Sequence, residues 1–217
     1  MNAFAPDFRQ DFLAFSLAQG VLKFGSFTTK SGRNSPYFFN SGLFNDGESL
    51  RRLGEYYADA YLASGIECDQ LFGPAYKGIP LAAATAVALA ARGFNLPYTF
   101  DRKEAKDHGE GGKIVGAPLQ GRVLIVDDVI TDGGAKRGAI ELIKANGAEP
   151  VAILIALDRQ ERGRGERSPV QELESEYGVR VVSIAGLGDL FKFMRGRSDL
   201  AEFLPRIETY REAYGVR

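Results

Sequence analysis

Residues 122–139 read RVLIVDDVITDGGAKRGA. Val123, Leu124, Ile125 and Val126 form an unbroken apolar run that ends on two adjacent carboxylates, Asp127 and Asp128. A short apolar run closed by turn residues predicts a strand buried on both faces, as in parallel sheets. Val129 and Ile130 follow, then Thr131-Asp132-Gly133-Gly134-Ala135, then a helical pattern. The glycines predict a tight loop at the strand's C-terminal end, the edge of an open α/β sheet at which ligands bind.

That loop has the parts of a phosphate cradle. Gly133 and Gly134 let successive backbone N–H groups converge on one anion, and the following helix adds its positive end. Thr131 offers a hydroxyl. The acidic pair would repel a bare phosphate, and it makes sense if the ligand also carries hydroxyls, or a magnesium ion, for the carboxylates to hold. A sugar phosphate has both features.

The same strand–loop–helix order recurs on either side. Residues 70–75 (QLFGPA) predict a buried strand, and Tyr76-Lys77-Gly78-Ile79-Pro80 opens an alanine-rich helix that runs to Arg92, again the geometry of an anion site. Residues 149–157 predict a second long apolar strand, ending at Asp158-Arg159-Gln160-Glu161-Arg162-Gly163, where a guanidinium is placed to meet a planar carboxylate. Strands are also expected at 98–102 and 179–184, with helices at 46–64, 168–177, 189–194 and 199–214. The alternation from 70 to 184 predicts a mostly parallel sheet of about five strands with helices on both faces. Ahead of it lie an amphipathic helix over 6–18 and a strand–turn–strand hairpin, expected outside the main sheet. Residues 103–113 (KEAKDHGEGGK) are polar and glycine-rich, lack any apolar period, and read as a mobile segment.

At 217 residues, with 45% hydrophobic and 25% charged residues, the composition is that of a soluble globular chain. A net charge of −1 gives no bulk field for nucleic acid or a membrane surface. The single cysteine, Cys68, excludes an internal disulfide and fits a reducing compartment. No signal-like N-terminus and no apolar run of spanning length is present, so a cytoplasmic enzyme is expected.

VLIVDDVITDGGA resembles the phosphoribosyl-pyrophosphate (PRPP) motif of type I phosphoribosyltransferases. The one departure is Asp132, where a small residue is commoner and where a negative charge beside a phosphate is unhelpful unless it turns away. FTTKSGRNSPYFFNSG (27–42) resembles the hood segment of the orotate phosphoribosyltransferases, and RKEAKDHGEGG (102–112) resembles their catalytic loop. With Tyr76-Lys77 and DRQERG (158–163), these stretches follow that family's order along nearly the whole chain.

The resemblance implies an α/β, type I phosphoribosyltransferase fold: a mostly parallel central sheet flanked by helices, with an N-terminal hood. It implies one domain over 1–217, with 1–45 supplying the first helix and hood and 46–217 the core. It implies transfer of the phosphoribosyl group from PRPP to orotate. PRPP would be bound by Lys30, Tyr76, Lys77, Arg102, Lys103, Lys106, His108, Asp127, Asp128, Val129, Ile130, Thr131, Asp132, Gly133, Gly134 and Ala135. Orotate would lie against Phe38 and Phe39 and meet Thr131 and Arg159; neighbours on a strand face opposite ways, so one of the two phenylalanines is expected in the core. Asp127 and Asp128 would hold the ribose, and Lys106 or His108 would protonate the leaving pyrophosphate. Mg²⁺ would be the cofactor, arriving on PRPP oxygens rather than in a protein cage. The partner would be a second copy, its 103–113 loop closing over the neighbouring site, with no nucleic acid or membrane involved. The alternatives are another type I phosphoribosyltransferase, or a PRPP-sensing regulator on the same fold, which would be expected to lose the loop cations.

Overall fold

The computed structural model describes residues 7–29, 31–106, 112–163 and 165–216, the side chains of 105 and 106 excepted. The expectations for Lys30, His108 and the Lys106 side chain lie outside the described residues.

Helix α1 (Phe8–Ala18) begins where the Asp7 carboxylate accepts the Arg9 N–H at 3.2 Å. The hood follows as a separate antiparallel pair, β1 (Leu22–Thr28) and β2 (Asn34–Phe39), with a register shift between Phe24 and Phe27. Alternation along β2 divides its aromatic residues. Phe39 is buried against Phe12 with ring centroids 6.1 Å apart, whereas Phe38 faces outward and stacks on Phe27 at 5.5 Å. A short 3₁₀ turn, Ser41–Leu43, leads to α2 (Gly47–Ser64), which starts in a capping box between Asp46 and Ser49.

The remaining elements are β3 (Gln70–Gly73), α3 (Gly78–Ala90), β4 (Tyr98–Lys106), β5 (Gly112–Gly116), β6 (Arg122–Val126), α4 (Gly134–Ala145), β7 (Glu149–Asp158), α5 (Pro169–Tyr177), β8 (Arg180–Gly186), α6 (Leu187–Arg195) and α7 (Leu204–Tyr214). Strands β3 to β8 form one sheet in the order β5-β4-β3-β6-β7-β8. Five of them are mutually parallel, as the alternation of the sequence requires, and β5 is antiparallel to β4.

Burial explains the unbroken apolar runs. On β6, Leu124 and Val126 join one core cluster while Val123 and Ile125 join another on the opposite face; on β7, Leu154 and Ile155 divide in the same way. The first cluster is closed by residues of α1, α2, α3, α6 and α7, among them Phe12, Tyr57, Leu89, Leu190 and Ile207; the second is closed by Ile140 and Ile143 of α4 and Leu173 of α5. Among the described residues no helix is long and apolar enough to cross a membrane.

Two expectations need correction. The strand expected over 98–102 continues to Lys106, and Lys106 pairs with Gly112, so the glycine-rich segment is flanked by an antiparallel ladder. The apolar period is missing there because this pair stands at the sheet's edge, where charged residues are the usual protection. Residues 199–203 belong to a 3₁₀ helix, Ser198–Phe203, and the α-helix starts only at Leu204. Pro205, which has no N–H to donate, fits that first turn.

The turn after β3 is held tightly. A Cβ added at Gly78 would lie 2.5 Å from Pro74 Cδ and 2.9 Å from the Val126 carbonyl oxygen, so only glycine lets α3 begin against the end of β6. Gly78→Ala should therefore lower stability by about 1–3 kcal/mol, the usual effect of overpacking. Urea unfolding checks this, and a midpoint equal to that of the parent chain would refute the close approach.

Candidate active site

The C-terminal ends of β3, β6 and β7 converge with the hood. Asp127 and Asp128 leave β6 directly and are both buried. Backbone bonds hold them in the sheet's extension: Asp127 N–H donates to Leu154 O at 3.0 Å, and Ala156 N–H donates to Asp128 O at 2.7 Å. The buried Tyr57 hydroxyl donates to Asp127 O at 2.8 Å.

Each carboxylate has its own lysine. Lys77 Nζ is 2.7 Å from Asp128 Oδ2, which also accepts the Ser41 hydroxyl at 2.9 Å. Lys136 Nζ is 2.6 Å from Asp127 Oδ2 and donates to Val129 O at 2.6 Å. Burial pushes Asp127 above the ordinary aspartate value, although the Lys136 ammonium pulls the other way. Burial acts on Asp128 as well, but there the hydrogen bond from Lys77 and further favourable contacts prevail, and Asp128 lies below the ordinary value.

The loop from Val129 to Ala135 carries the anion-binding features. Gly133, in the left-handed region at φ 77°, caps α4, and Thr131, Gly134 and Ala135 are exposed. The structure also shows what Asp132 does. Its Oδ1 accepts the Gly134 N–H at 3.0 Å, so the carboxylate turns back onto the loop. Tyr76 is 70% exposed, and Lys103 Nζ, at the start of the β4–β5 arm, lies 6.0 Å from its ring centroid. The loop carrying Tyr76 is tied to β4, because Ala75 N–H donates to Asp101 Oδ1 at 2.6 Å. Arg102 is half-buried on β4 beside Lys103.

Arg159 sits at the end of β7 against the hood. Its Nε and Nη2 both donate to Glu161 Oε1, at 2.9 and 2.7 Å, Nη2 also reaches Ser35 Oγ at 3.1 Å, and the guanidinium lies 4.9 Å from the Tyr37 ring centroid. Burial opposes its charge, but Tyr37 and Glu161 beside it outweigh that and raise its pKa. Tyr37 and Tyr210 donate to the two Glu161 oxygens at 3.3 and 3.1 Å. Glu161 thus joins β7, the hood and α7. Phe38 points to the face of β2 opposite Ser35 and Tyr37.

The structure therefore gathers Asp127, Asp128, Lys77 and the 129–135 loop into one locus, with Arg159 on the neighbouring strand end, and places Phe39 in the core. Sequence reasoning missed Ser41, Tyr57, Asp101, Lys136 and Glu161. Lys136 had a visible signal: it stands three, four and seven residues before Ala139, Ile140 and Ile143, on the buried stripe of α4. Among the described residues there is no group of three or more Asp, Glu, His or Cys side chains able to hold a metal ion.

Residues 42–186 match the model of the phosphoribosyl transferase domain family. An orotate phosphoribosyltransferase from Thioalkalivibrio sulfidiphilus (strain HL-EbGR7) is 63% identical over 210 residues, covering 96% of this chain and 99% of its own. The orotate phosphoribosyltransferase of Neisseria meningitidis serogroup C (strain 053442) is 60% identical, with 97% and 99% covered. Among solved structures, that of Francisella tularensis orotate phosphoribosyltransferase superposes with a TM-score of 0.87 at 38% identity, over 94% of this chain and 99% of the other.

Proposed function

We infer the reaction from kinship and site together: the chain belongs to the orotate phosphoribosyltransferases, and it transfers the phosphoribosyl group from PRPP to orotate, giving orotidine 5′-monophosphate and pyrophosphate in pyrimidine biosynthesis. The observation that carries the reading is the buried Asp127–Asp128 pair opening into the glycine loop at the start of α4.

PRPP fits this locus by its chemistry. The 5′-phosphate takes the N–H groups of 129–135 and the positive end of α4. The ribose hydroxyls donate to Asp127 and Asp128. Lys77, whose side chain is 57% exposed, is free to swing from Asp128 to the pyrophosphate as the sugar arrives. Arg102 and Lys103, from β4, add cations for the pyrophosphate, and the family resemblance assigns Lys30, Lys106 and His108 to PRPP as well. Arg159 offers its remaining edge to the orotate carboxylate, because its Nε–Nη2 edge is already engaged by Glu161. Thr131 reaches the base from the loop, whereas Phe38, exposed on the face of β2 opposite Ser35 and Tyr37, lies on the other side of that strand from the Arg159 contacts.

The chemical step joins orotate N1 to ribose C1 as the C1–O bond to pyrophosphate breaks, and N1 gives up its proton to solvent or to the pyrophosphate. Positive charge developing at C1 is stabilised by the neighbouring carboxylates, and the rigid ribose grip keeps the reacting atoms aligned. Closure of the arm excludes water that would hydrolyse PRPP. Lys106 or His108 delivers the proton that the leaving group takes up.

Both site carboxylates already hold lysines, so the donor set fits a magnesium ion that arrives on PRPP oxygens with its own waters. When bound, Mg²⁺ neutralises charge on the pyrophosphate. The active unit is a homodimer in the cytoplasm in which each arm closes over the partner's site. Val87, Phe94 and Tyr98, exposed along α3, its following turn and the start of β4, supply apolar surface for that contact.

The test is the ultraviolet band of orotate in the presence of protein and Mg²⁺, before and after PRPP is added. PRPP-dependent loss of the band with release of pyrophosphate supports the reading. Pyrophosphate release with a different base and none with orotate overturns the assignment of Arg159.

Asp132 gives a milder prediction. Its carboxylate occupies a loop N–H that the phosphate needs, so Asp132→Ala should lower the PRPP KM by about threefold, the worth of one net hydrogen bond. Initial rates at varied PRPP check this, and a rise in KM would show that Asp132 supports the loop instead.

A further inference from the structure

We propose that Lys136 is a positioning residue of the ribose site, which grips the Asp127 carboxylate and the Val129 carbonyl with one buried ammonium and so fixes the acidic pair relative to the phosphate loop. The proposal rests on the reading of Asp127 as a ribose ligand.

A lysine is seldom buried unless paired, and the Lys136 side chain is only 6% exposed. It lies on the stripe of α4 that otherwise buries Ala139, Ile140 and Ile143. An apolar residue there would serve stability as well or better, because a buried ion pair rarely repays its desolvation in full. The geometry suggests what is gained. Asp127 and Val129 stand on either side of Asp128 in sequence, and Lys136 contacts both at 2.6 Å from the first turn of the helix whose start the phosphate meets. One side chain thus joins the strand end, the loop and the helix.

The two lysines of the site differ in freedom. Lys77 is exposed and holds Asp128 by one oxygen, so it can leave. Lys136 is enclosed and remains. When Lys77 moves to the pyrophosphate, the acidic pair then presents one uncompensated negative charge to a polyanionic ligand; without Lys136 it would present two. The groups facing Asp127 are Lys136 from α4, the Tyr57 hydroxyl of α2 on its backbone oxygen, and Asp128 beside it with Lys77 beyond. Burial already pushes Asp127 upward, and Lys136 is the cation that opposes this most strongly.

The test measures PRPP and orotate kinetics in Lys136→Met, Lys136→Arg, Asp127→Asn and the Asp127→Asn/Lys136→Met double variant. In Lys136→Met the PRPP KM is expected to rise by about 30-fold, as for loss of a charge-assisted contact, with kcat changed far less and the orotate KM unchanged. Lys136→Arg should recover most of the loss. The double variant should match Asp127→Asn alone, since Lys136 acts through that carboxylate. Because it leaves no unpaired buried charge, it also keeps the test open if Lys136→Met fails to fold. The proposal falls if Lys136→Met leaves the PRPP KM at the parent value, raises both KM values equally, or adds its full factor on top of Asp127→Asn. Unchanged PRPP binding in Asp127→Asn itself would overturn the ribose reading and the proposal with it. A large effect there beside a silent Lys136→Met overturns the proposal alone.

Discussion

Asp128→Asn is expected to lower kcat/KM for PRPP by about 10³-fold, roughly 4 kcal/mol of lost transition-state stabilisation, while the protein stays folded. The amide keeps the shape of the side chain and can still accept the Ser41 hydroxyl that reaches Oδ2 at 2.9 Å. What disappears is the charge. That charge holds Lys77 at 2.7 Å; with the sugar bound it would receive hydroxyl protons and face the developing cation at C1. An interaction that strengthens as charge develops affects kcat as well as KM. A stability measurement separates this from unfolding. Asp128 has a folded-state pKa below its unfolded value, so its ionised form stabilises the parent at neutral pH, and that contribution fades as pH falls through the folded-state value. The Asn variant should lack this acid-side slope and show a modestly lower midpoint at pH 7. A kcat/KM within tenfold of the parent would remove Asp128 from the reaction.

Arg159→Ala is expected to raise the orotate KM by about 10²–10³-fold and to leave PRPP binding close to the parent value, in line with loss of a charge-assisted contact to a carboxylate. The substitution also strands Glu161, which would keep only the hydroxyls of Tyr37 and Tyr210. Removing one partner of a mostly buried ion pair destabilises more than removing both. Arg159→Ala/Glu161→Gln should therefore regain stability without regaining orotate affinity. Arg159→Lys keeps the charge but has no planar fork, and a point charge cannot meet both Glu161 and a substrate carboxylate in one plane. It should behave nearly as poorly as the alanine variant. Steady-state kinetics with orotate and PRPP each varied at a saturating level of the other would decide: a shift confined to the PRPP KM refutes the assignment.

The parts of the fold legible in the sequence are those whose physics is local. The β6 and β7 runs can only be buried strands, and the loop after β6 carries its glycines at the point where a helix start requires them. The β4–β5 arm was hidden because its ladder, Asp101 with Ile114 and Lys106 with Gly112, lies on an edge that needs no apolar alternation. The Glu161 junction was not legible at all. Its partners at positions 37 and 210 are distant in sequence, and the charges around residue 161 look like a solvated cluster until the chain is folded. The inward turn of Asp132 depends on a two-residue backbone geometry that composition does not encode. Lys136 is legible in principle, as a charge on the apolar stripe of α4.

Ser41 and Lys77 on Asp128, Lys136 on Asp127, and Glu161 on Arg159 share one consequence. These side chains are paired with one another within the protein, so under the proposed reading a ligand must exchange its own groups for those contacts. On that reading a neutral sugar, or a heterocycle without a carboxylate, would offer too little to dislodge Lys77 or to share Arg159. Selectivity would then arise from what a ligand must displace as much as from what it touches, and an effective inhibitor would be expected to carry charge at both ends.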